Sequence, residues 1–441
     1  MSTFETTFTL LPGQSGLLEI AVKLLNDHRQ GDYYAYERGE LWHVGLGSRS
    51  SLLVNPSGTK ATINDQATKK TFEIQGSVAD VAREFLGKHS VPNGKIFGYV
   101  GFNYAAHSQG QTFKPGNWPL LSLLVPRIEI TLAQDRVTIK GDDAHEINAL
   151  CDLIRTPLEA GIPRPSADVN TLAQGDEYLK RVVDALSEIA AGKYEKVIAS
   201  RAVELAEKFD VPGTLLRGRR SNTPARSFAL SHEGYEATGF SPELVMLLAD
   251  GKVTTEPLAG TRSREGSAAE VEKLRNDLVS DPKEIVEHVI SVREAIEELN
   301  RVCAKDTVAV EDFMSIRPRG SVQHLGSRVA GSLAPGKDAW DAFNVLFPSI
   351  TASGIPKLAA LQAIQRLEPQ PRELYSGAVL LIEGAGFFEA TLVLRTIFQD
   401  ASRRWLQAGA GVISQSIPER EFTETREKLA SIAPYAASAL A

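Results

Sequence analysis

Read for the spacing of its apolar positions, the chain switches between short strand-like runs and helical stripes. Strand-like runs include Leu52-Leu53-Val54, Ile128-Glu129-Ile130-Thr131-Leu132 and Lys196-Val197-Ile198-Ala199-Ser200-Arg201-Ala202-Val203-Glu204-Leu205. Further strands are predicted around 227–231, 244–248, 377–382, 391–398 and 405–413. Leu179, Val182, Val183, Leu186 and Ile189 form an apolar stripe that predicts a helix stopping at Gly192. Helices are also predicted from Val78 to Leu86 and at 267–278, 282–299, 356–367 and 419–432. This order is too irregular for a barrel of repeated βα units. It predicts an α+β protein with mixed or antiparallel sheets and helices outside. Between Arg155 and Gly175 the chain holds three prolines and no apolar period, which reads as a connector.

Composition changes this picture only at its edges. A length of 441 residues suggests two or three domains at ~100–200 residues each, and ample core without disulfides. Cys151 and Cys303 lie far apart, which excludes a disulfide framework and suits a reducing compartment. The start, Met1-Ser2-Thr3-Phe4-Glu5, lacks a secretory pattern, and no run approaches the ~20 apolar residues of a membrane span. A cytoplasmic protein is therefore expected. The net charge of −7 and pI near 5.8 exclude a basic nucleic-acid footprint. An anionic substrate would need locally placed cations or a metal.

Several residues carry candidate chemistry. Arg395 sits in the apolar run Thr391-Leu392-Val393-Leu394-Arg395-Thr396-Ile397-Phe398. A guanidinium there needs an anionic partner, either a structural carboxylate or a substrate anion. Lys196 opens an apolar strand, where a lysine serves as a general base or snorkels at the edge. Glu243, in Gly239-Phe240-Ser241-Pro242-Glu243-Leu244-Val245, reads as a protonated acid or as a solvated carboxylate in a turn. Glu284 and Glu287 share one helix face, as do Glu421 and Glu424, and carboxylate oxygens suit Mg²⁺. ExxE also occurs at Glu294/Glu297 and Glu424/Glu427, and Lys428 is spaced to pair with Glu424.

Gly331-Ser332-Leu333-Ala334-Pro335-Gly336-Lys337-Asp338 is not a phosphate loop, because Asp338 replaces the hydroxyl and Pro335 removes a donor. Gly409-Ala410-Gly411-Val412 lacks a dinucleotide fingerprint but admits close approach of a carboxylate to backbone amides. Thr351-Ala352-Ser353-Gly354-Ile355-Pro356 leads into a helix, and His324 alternates with Val322 and Gly326 in a strand.

Taken in order, the segments resemble the chorismate-utilising, anthranilate synthase component I-like enzymes, most closely their salicylate synthases of siderophore pathways. Early matches are Lys196-Val197-Ile198-Ala199-Ser200-Arg201, Ser241-Pro242-Glu243-Leu244, Glu256-Pro257-Leu258-Ala259-Gly260-Thr261-Arg262 and Lys283-Glu284-Ile285-Val286-Glu287-His288. The series continues with Gly320-Ser321-Val322-Gln323-His324-Leu325, Phe347-Pro348 through Lys357 and Leu374-Tyr375-Ser376-Gly377. It ends with Gln407-Ala408-Gly409-Ala410-Gly411 and Glu419-Arg420-Glu421-Phe422-Thr423-Glu424.

The resemblance spans residues 176–435 and implies one domain over 1–441 with two β-sheets at its core and helices outside. Residues 1–154 would complete the sheets. It implies that Glu284, Glu287, Glu421 and Glu424 hold Mg²⁺ directly or through water. Tyr375, Arg395, Lys428 and Gly409, Ala410 and Gly411 would contact substrate carboxylates, with Gly260 and Thr261 nearby. Lys196 would act as base, Glu243 as acid, and His324 and Thr351 would lie near the ring.

The implied reaction converts chorismate to salicylate and pyruvate through isochorismate. Anthranilate-forming relatives carry Gln where Lys196 stands, so no amidotransferase subunit is expected. Isochorismate synthases share the lysine but generally carry Ala in place of Thr351. A monomer is expected. The alternatives are an enzyme that stops at isochorismate and a non-catalytic chorismate-binding paralogue.

Overall fold

The computed structural model describes residues 4–10, 16–65, 68–157, 166–320 and 322–439. The centre of the connector, 158–165, lies outside them. Among the described residues, 21 strands join in one hydrogen-bonded network. Two strands are long enough to belong to both of its layers. Leu41–Val54 and Leu121–Leu132 pair antiparallel from Trp42 opposite Leu132 to Val54 opposite Leu121. The register slips between Ser48 and Ser50, where Ser48 faces Pro126, a residue with no N–H for the ladder.

On either side of this slip the neighbours differ. One layer runs from Leu121–Val125 through Lys95–Val100, Ala378–Glu383, Phe387–Leu392, Leu244–Ala249, Lys252–Thr255 and Val322–Ser332. The other runs from the Leu41 end through Tyr33–Arg38, Arg226–His232, Tyr235–Ser241, Thr396–Gln399, Arg404–Val412 and Lys196–Glu204. The two expected sheets are present, fused through shared strands.

Period two places three apolar layers. Between the sheets, Tyr34, Tyr36, Phe228 and Trp405 meet Phe97, Tyr99, Val379 and Leu381. Each such buried Phe or Leu contributes roughly 1.5–3 kcal/mol. The alternate residues Ile96, Val100, Leu380 and Ile382 face outward into a core shared with the helices Val78–His89, Gly175–Ala190, Ala339–Leu346 and Lys357–Leu367. On the opposite outer face, Tyr33, Ala35 and Ala229 pack with Leu17–Asp27, Ala144–Arg155 and Val211–Ser221. Arg226–His232 ladders with Tyr33–Arg38, and Ala378–Glu383 with Lys95–Val100. Strands from before and after the connector are thus hydrogen-bonded edge to edge in both layers and form one domain, not the two or three that length suggests. No described helix is long and apolar enough to cross a membrane.

Two expectations change. The run 391–398 is not one strand: Phe387–Leu392 lies in the first layer and Thr396–Gln399 in the second, and Arg395 turns the corner at φ +51°. The apolar pattern continues because both layers are buried, so periodicity does not register the change of sheet. In the Gly175–Ala190 helix, Val183 is 53% exposed, while Tyr178, Arg181, Val182 and Ala185 form the buried face. Arg181 is buried there because its guanidinium donates to the carbonyls of Leu367 and Ser200. Asp338 caps the Ala339–Leu346 helix, accepting from the amides of Trp340 and Asp341, which gives a structural role to the position that disqualified the phosphate loop.

Candidate active site

Two sheet-changing corners meet at the site. The chain passes from Tyr235–Ser241 in one layer to Leu244–Ala249 in the other through Pro242-Glu243, and it crosses back at Val393–Arg395. The amide of Leu392 donates to the carbonyl of Glu243, and that of Phe240 to the carbonyl of Arg395. Thr391 Oγ1 and Ser241 Oγ also donate to the Glu243 carbonyl. This backbone lattice fixes both side chains.

Glu243 is buried at 2% exposure, which excludes the solvated-turn reading. Its Oε1 accepts from Ser349 Oγ at 2.8 Å and Thr351 Oγ1 at 3.0 Å, whereas Oε2 has no hydrogen-bond partner among the described residues. Burial pushes the carboxyl up to about 8, against the opposing pull of the two hydroxyls. It is therefore mostly protonated at neutral pH. Thr351 stands in the turn Ile350–Ala352, with its hydroxyl also 3.3 Å from the carbonyl of Leu258.

Lys196 opens the Lys196–Glu204 strand and is buried, its Nζ 2.5 Å from Glu287 Oε1. Its stem crosses Gly411, where an added Cβ would come 3.1 Å from Lys196 Cε. On its other side Gly354, at φ +141°, packs so closely that an added Cβ would lie 2.2 Å from the Lys196 carbonyl oxygen. Glycines on two segments thus set the lysine's track.

His324, on the Val322–Ser332 strand, takes its tautomer from its neighbours. Arg395 Nη2 donates to its Nε2 at 3.0 Å, so Nδ1 carries the hydrogen, 3.0 Å from the Gly260 carbonyl and 3.1 Å from Thr261 Oγ1. Burial, aided by the Arg395 charge, pushes this histidine down to about 3, so it is neutral. Burial likewise lowers Arg395 to about 10, with Arg319 contributing repulsion. Among the described residues no carboxylate forms an ion pair with Arg395 or Arg319. Of the two readings the sequence left open for Arg395, a structural salt bridge is therefore not the one adopted.

The acidic pairs border the same groups. Glu284 accepts from Arg262 Nη1 at 3.0 Å and lies against Gly260, where an added Cβ would come 2.9 Å from its Oε2. Lys428 Nζ donates to the Gly409 carbonyl at 2.8 Å and pairs with Glu424 at 2.7 Å. Burial alone would lower this lysine, but the Glu424 charge and hydrogen bond outweigh it and raise it. Glu421 is buried, with its charge near the Tyr178 ring. Tyr375 is buried, and burial raises its phenol despite the nearby charges of Arg372 and Lys428. Ala410 lies between Gly409 and Gly411 on the Arg404–Val412 strand, paired with Ala199.

No three His, Cys, Asp or Glu side chains among the described residues converge as a metal cluster. Glu284, Glu287 and Glu424 each face a cation of the protein instead. Their hard oxygens nonetheless fit Mg²⁺, which commonly uses one or two carboxylates and completes its shell with water or substrate oxygen.

Sequence reasoning missed Ser349, which shares Glu243 Oε1 with Thr351, and Arg319, whose Nε donates to the Pro242 carbonyl at 3.0 Å. Ser349 lies inside the recognised 347–357 segment, but nothing in its spacing marks it as a partner of Glu243. Arg319 lies next to the recognised Gly320–Leu325 segment, but its reach to Pro242 is a tertiary fact.

The chain matches the chorismate binding enzyme family over residues 31–434. It is 39% identical over 422 residues to a salicylate synthase of Mycolicibacterium paratuberculosis, covering 95% of this chain and 92% of that one. It is 31% identical over 399 residues to anthranilate synthase component 1 of Methanothermobacter thermautotrophicus, covering 88% and 84%. In fold it resembles anthranilate synthase component I from Streptococcus pneumoniae, with a TM-score of 0.77, 21% identity and coverage of 90% and 92%. The menaquinone-specific isochorismate synthase from Escherichia coli superposes with a TM-score of 0.74, 22% identity and coverage of 98% and 94%.

Proposed function

The chain belongs to the chorismate binding enzyme family, and from that premise we propose that it converts chorismate to salicylate and pyruvate through isochorismate. The observation that carries this reading is the asymmetry of Glu243. Two hydroxyls occupy Oε1, so the proton of the neutral carboxyl resides on the unpartnered Oε2. That is the state a general acid needs to release a hydroxyl as water.

In the first step water attacks C2 of chorismate and Lys196 accepts its proton. Glu243 Oε2 protonates the departing C4 hydroxyl while the ring double bonds shift. One water enters and one leaves, so the step is an isomerisation. Glu287 orients the Lys196 nitrogen, and the neutral His324 presents Arg395 to an anion. Arg395 and Tyr375 would receive one substrate carboxylate, Lys428 and the backbone of Gly409, Ala410 and Gly411 the other, with Gly260 and Thr261 alongside. Glu284, Glu287, Glu421 and Glu424 would hold Mg²⁺ directly or through water, and the ion would supply positive charge to offset negative charge developing on the substrate. In the second step the C2 hydrogen passes to the enolpyruvyl methylene carbon as the C3–O bond breaks. There the protein acts chiefly by fixing the conformation.

The relative named salicylate synthase, similar along 95% of this chain, supports the two-step reading over one that stops at isochorismate. So does Thr351, at the position where the resemblance associates isochorismate synthases with Ala. We place the enzyme in the cytoplasm, working without an amidotransferase in siderophore biosynthesis. Incubation with chorismate and Mg²⁺ should yield salicylate and pyruvate in equal amounts and fail in EDTA. Isochorismate as sole product would reassign the chain to the one-step reaction, and binding without conversion would remove it from the enzymes.

A further inference from the structure

One deeply buried ion pair near the site involves none of its proposed catalytic groups. Arg372 and Glu368 form an ion pair with side chains only 1% and 5% exposed. A pair buried this deeply is weak evidence for stability, since apolar side chains of similar volume commonly do as well. Its geometry suggests a different use. Arg372 Nη2 donates to the carbonyl of Ile198 at 2.6 Å, two residues after Lys196. Nη1 donates to the carbonyl of Ala352 at 2.7 Å, one residue after Thr351, and reaches Ser376 Oγ at 3.3 Å, one residue after Tyr375. The Tyr375 ring lies 5.7 Å from the guanidinium carbon.

Glu368 closes the arrangement. Its Oε2 accepts from Arg372 Nε at 2.8 Å, and its Oε1 from Arg372 Nη2 at 2.6 Å. Oε1 also accepts from the Ser200 amide and hydroxyl, both at 2.9 Å, and that hydroxyl receives Gln407 Nε2 at 2.9 Å. Gln407 stands two residues before Gly409. One rigid planar group therefore bonds the segments that carry the proposed base, the hydroxyl holding the acid, and the carboxylate-binding tyrosine.

We propose that Arg372, anchored by Glu368, is a positioning residue that sets the separation of Lys196, Thr351–Glu243 and Tyr375. A guanidinium suits this because its N–H groups diverge in one fixed plane, so acceptors on separate segments are held at fixed mutual distances. Lysine supplies a flexible point charge and cannot hold both carbonyls together. The inference rests on the roles proposed above for those three groups.

The test is Arg372→Lys in the full chain, read by kinetics, thermal melting and peptide-level hydrogen exchange. A misplacement of about 1 Å costs roughly 100-fold in rate. The expected result is a 10- to 100-fold lower kcat for salicylate per folded molecule, a KM within about 3-fold, and a larger released share of isochorismate. Exchange should quicken in peptides covering 196–202, 349–355 and 372–378, with the outer strands unchanged. A kcat within 2-fold of the parent, or exchange rising equally everywhere, would overturn the proposal. If Arg372→Lys does not fold, Glu368→Gln replaces it. The same ordering is expected at about 3- to 10-fold in kcat, and unchanged kcat with unchanged exchange overturns it. Parent protein that leaves chorismate unchanged would refute the functional reading, while the exchange pattern would still judge the positioning.

Discussion

The hydroxyl of Thr351 lies 3.0 Å from Oε1 of Glu243, while Oε2 of the same carboxyl is buried with no hydrogen-bond partner among the described residues. A symmetric carboxylate would be equally solvated at both oxygens. Here the two hydroxyls on Oε1 select which oxygen carries the proton.

Glu243→Gln should abolish conversion of chorismate, with kcat falling by about 100-fold or more. It should also stabilise the protein, and the sign follows from linkage. The folded carboxyl titrates near 8, against an ordinary 4.5. Between those values the folded state holds a proton that the unfolded chain has released, so stability falls as pH rises. The gain from Gln should grow from pH 5 to 8, reaching on the order of 4 kcal/mol, and level off above. Melting curves at pH 5, 7 and 9 decide this, and a constant gain would contradict it.

For the parent enzyme, kcat should fall above about pH 8 as Glu243 ionises. The hydroxyls on Oε1 favour the ionised form, so Thr351→Val should move that basic limb upward. A pH–kcat profile showing a downward shift would argue against the assignment.

Lys196→Gln should lose hydration of chorismate yet retain some pyruvate release from supplied isochorismate. In the proposed mechanism only the first step needs a base. Comparing the variant on both substrates tests this, and equal loss of the two activities would contradict the division of roles.

Arg395→Lys should raise KM for chorismate by about 10- to 100-fold, because a bidentate fork becomes a point charge. The melting temperature should stay level. Among the described residues Arg395 has no carboxylate partner to lose, and Lys keeps the positive charge that faces Arg319. A large drop in melting temperature with KM unchanged would mark it as structural.

Gly354→Ala should destabilise by about 3 kcal/mol or more. The backbone there is at φ +141°, and the new Cβ would strike the Lys196 carbonyl, which cannot move without shifting its strand. Denaturant unfolding measures the loss, and a cost below about 1 kcal/mol would show that this contact yields.

Much of the secondary structure was legible. Helices predicted at 282–299 and 356–367 form as Pro282–Asn300 and Lys357–Leu367, and the 405–413 strand as Arg404–Val412. Their periods report local burial directly. The corner at Arg395 was not legible, because its flanking residues stay apolar in whichever sheet they enter. The burial of Glu243 was equally hidden, since Ser-Pro-Glu reads as an ordinary surface turn. Arg372 left one trace, its i,i+4 spacing from Glu368, but local spacing does not distinguish a buried anchor from an exposed helix pair.

By itself, the sequence determined the alternation of strands and helices, the family resemblance through its ordered motifs, and the residue types available for chemistry. Tertiary structure alone decided which of those residues meet. It stacked two sheets through shared strands and brought two corners more than 140 residues apart into hydrogen-bond contact, as Leu392 with Glu243. The physical reason is that local pattern records whether a side chain is buried, while protonation and partners depend on what buries it. Glu243 holds its proton here because distant segments remove water from it, and among the described residues Arg395 meets a neutral histidine where a carboxylate would have ended its use.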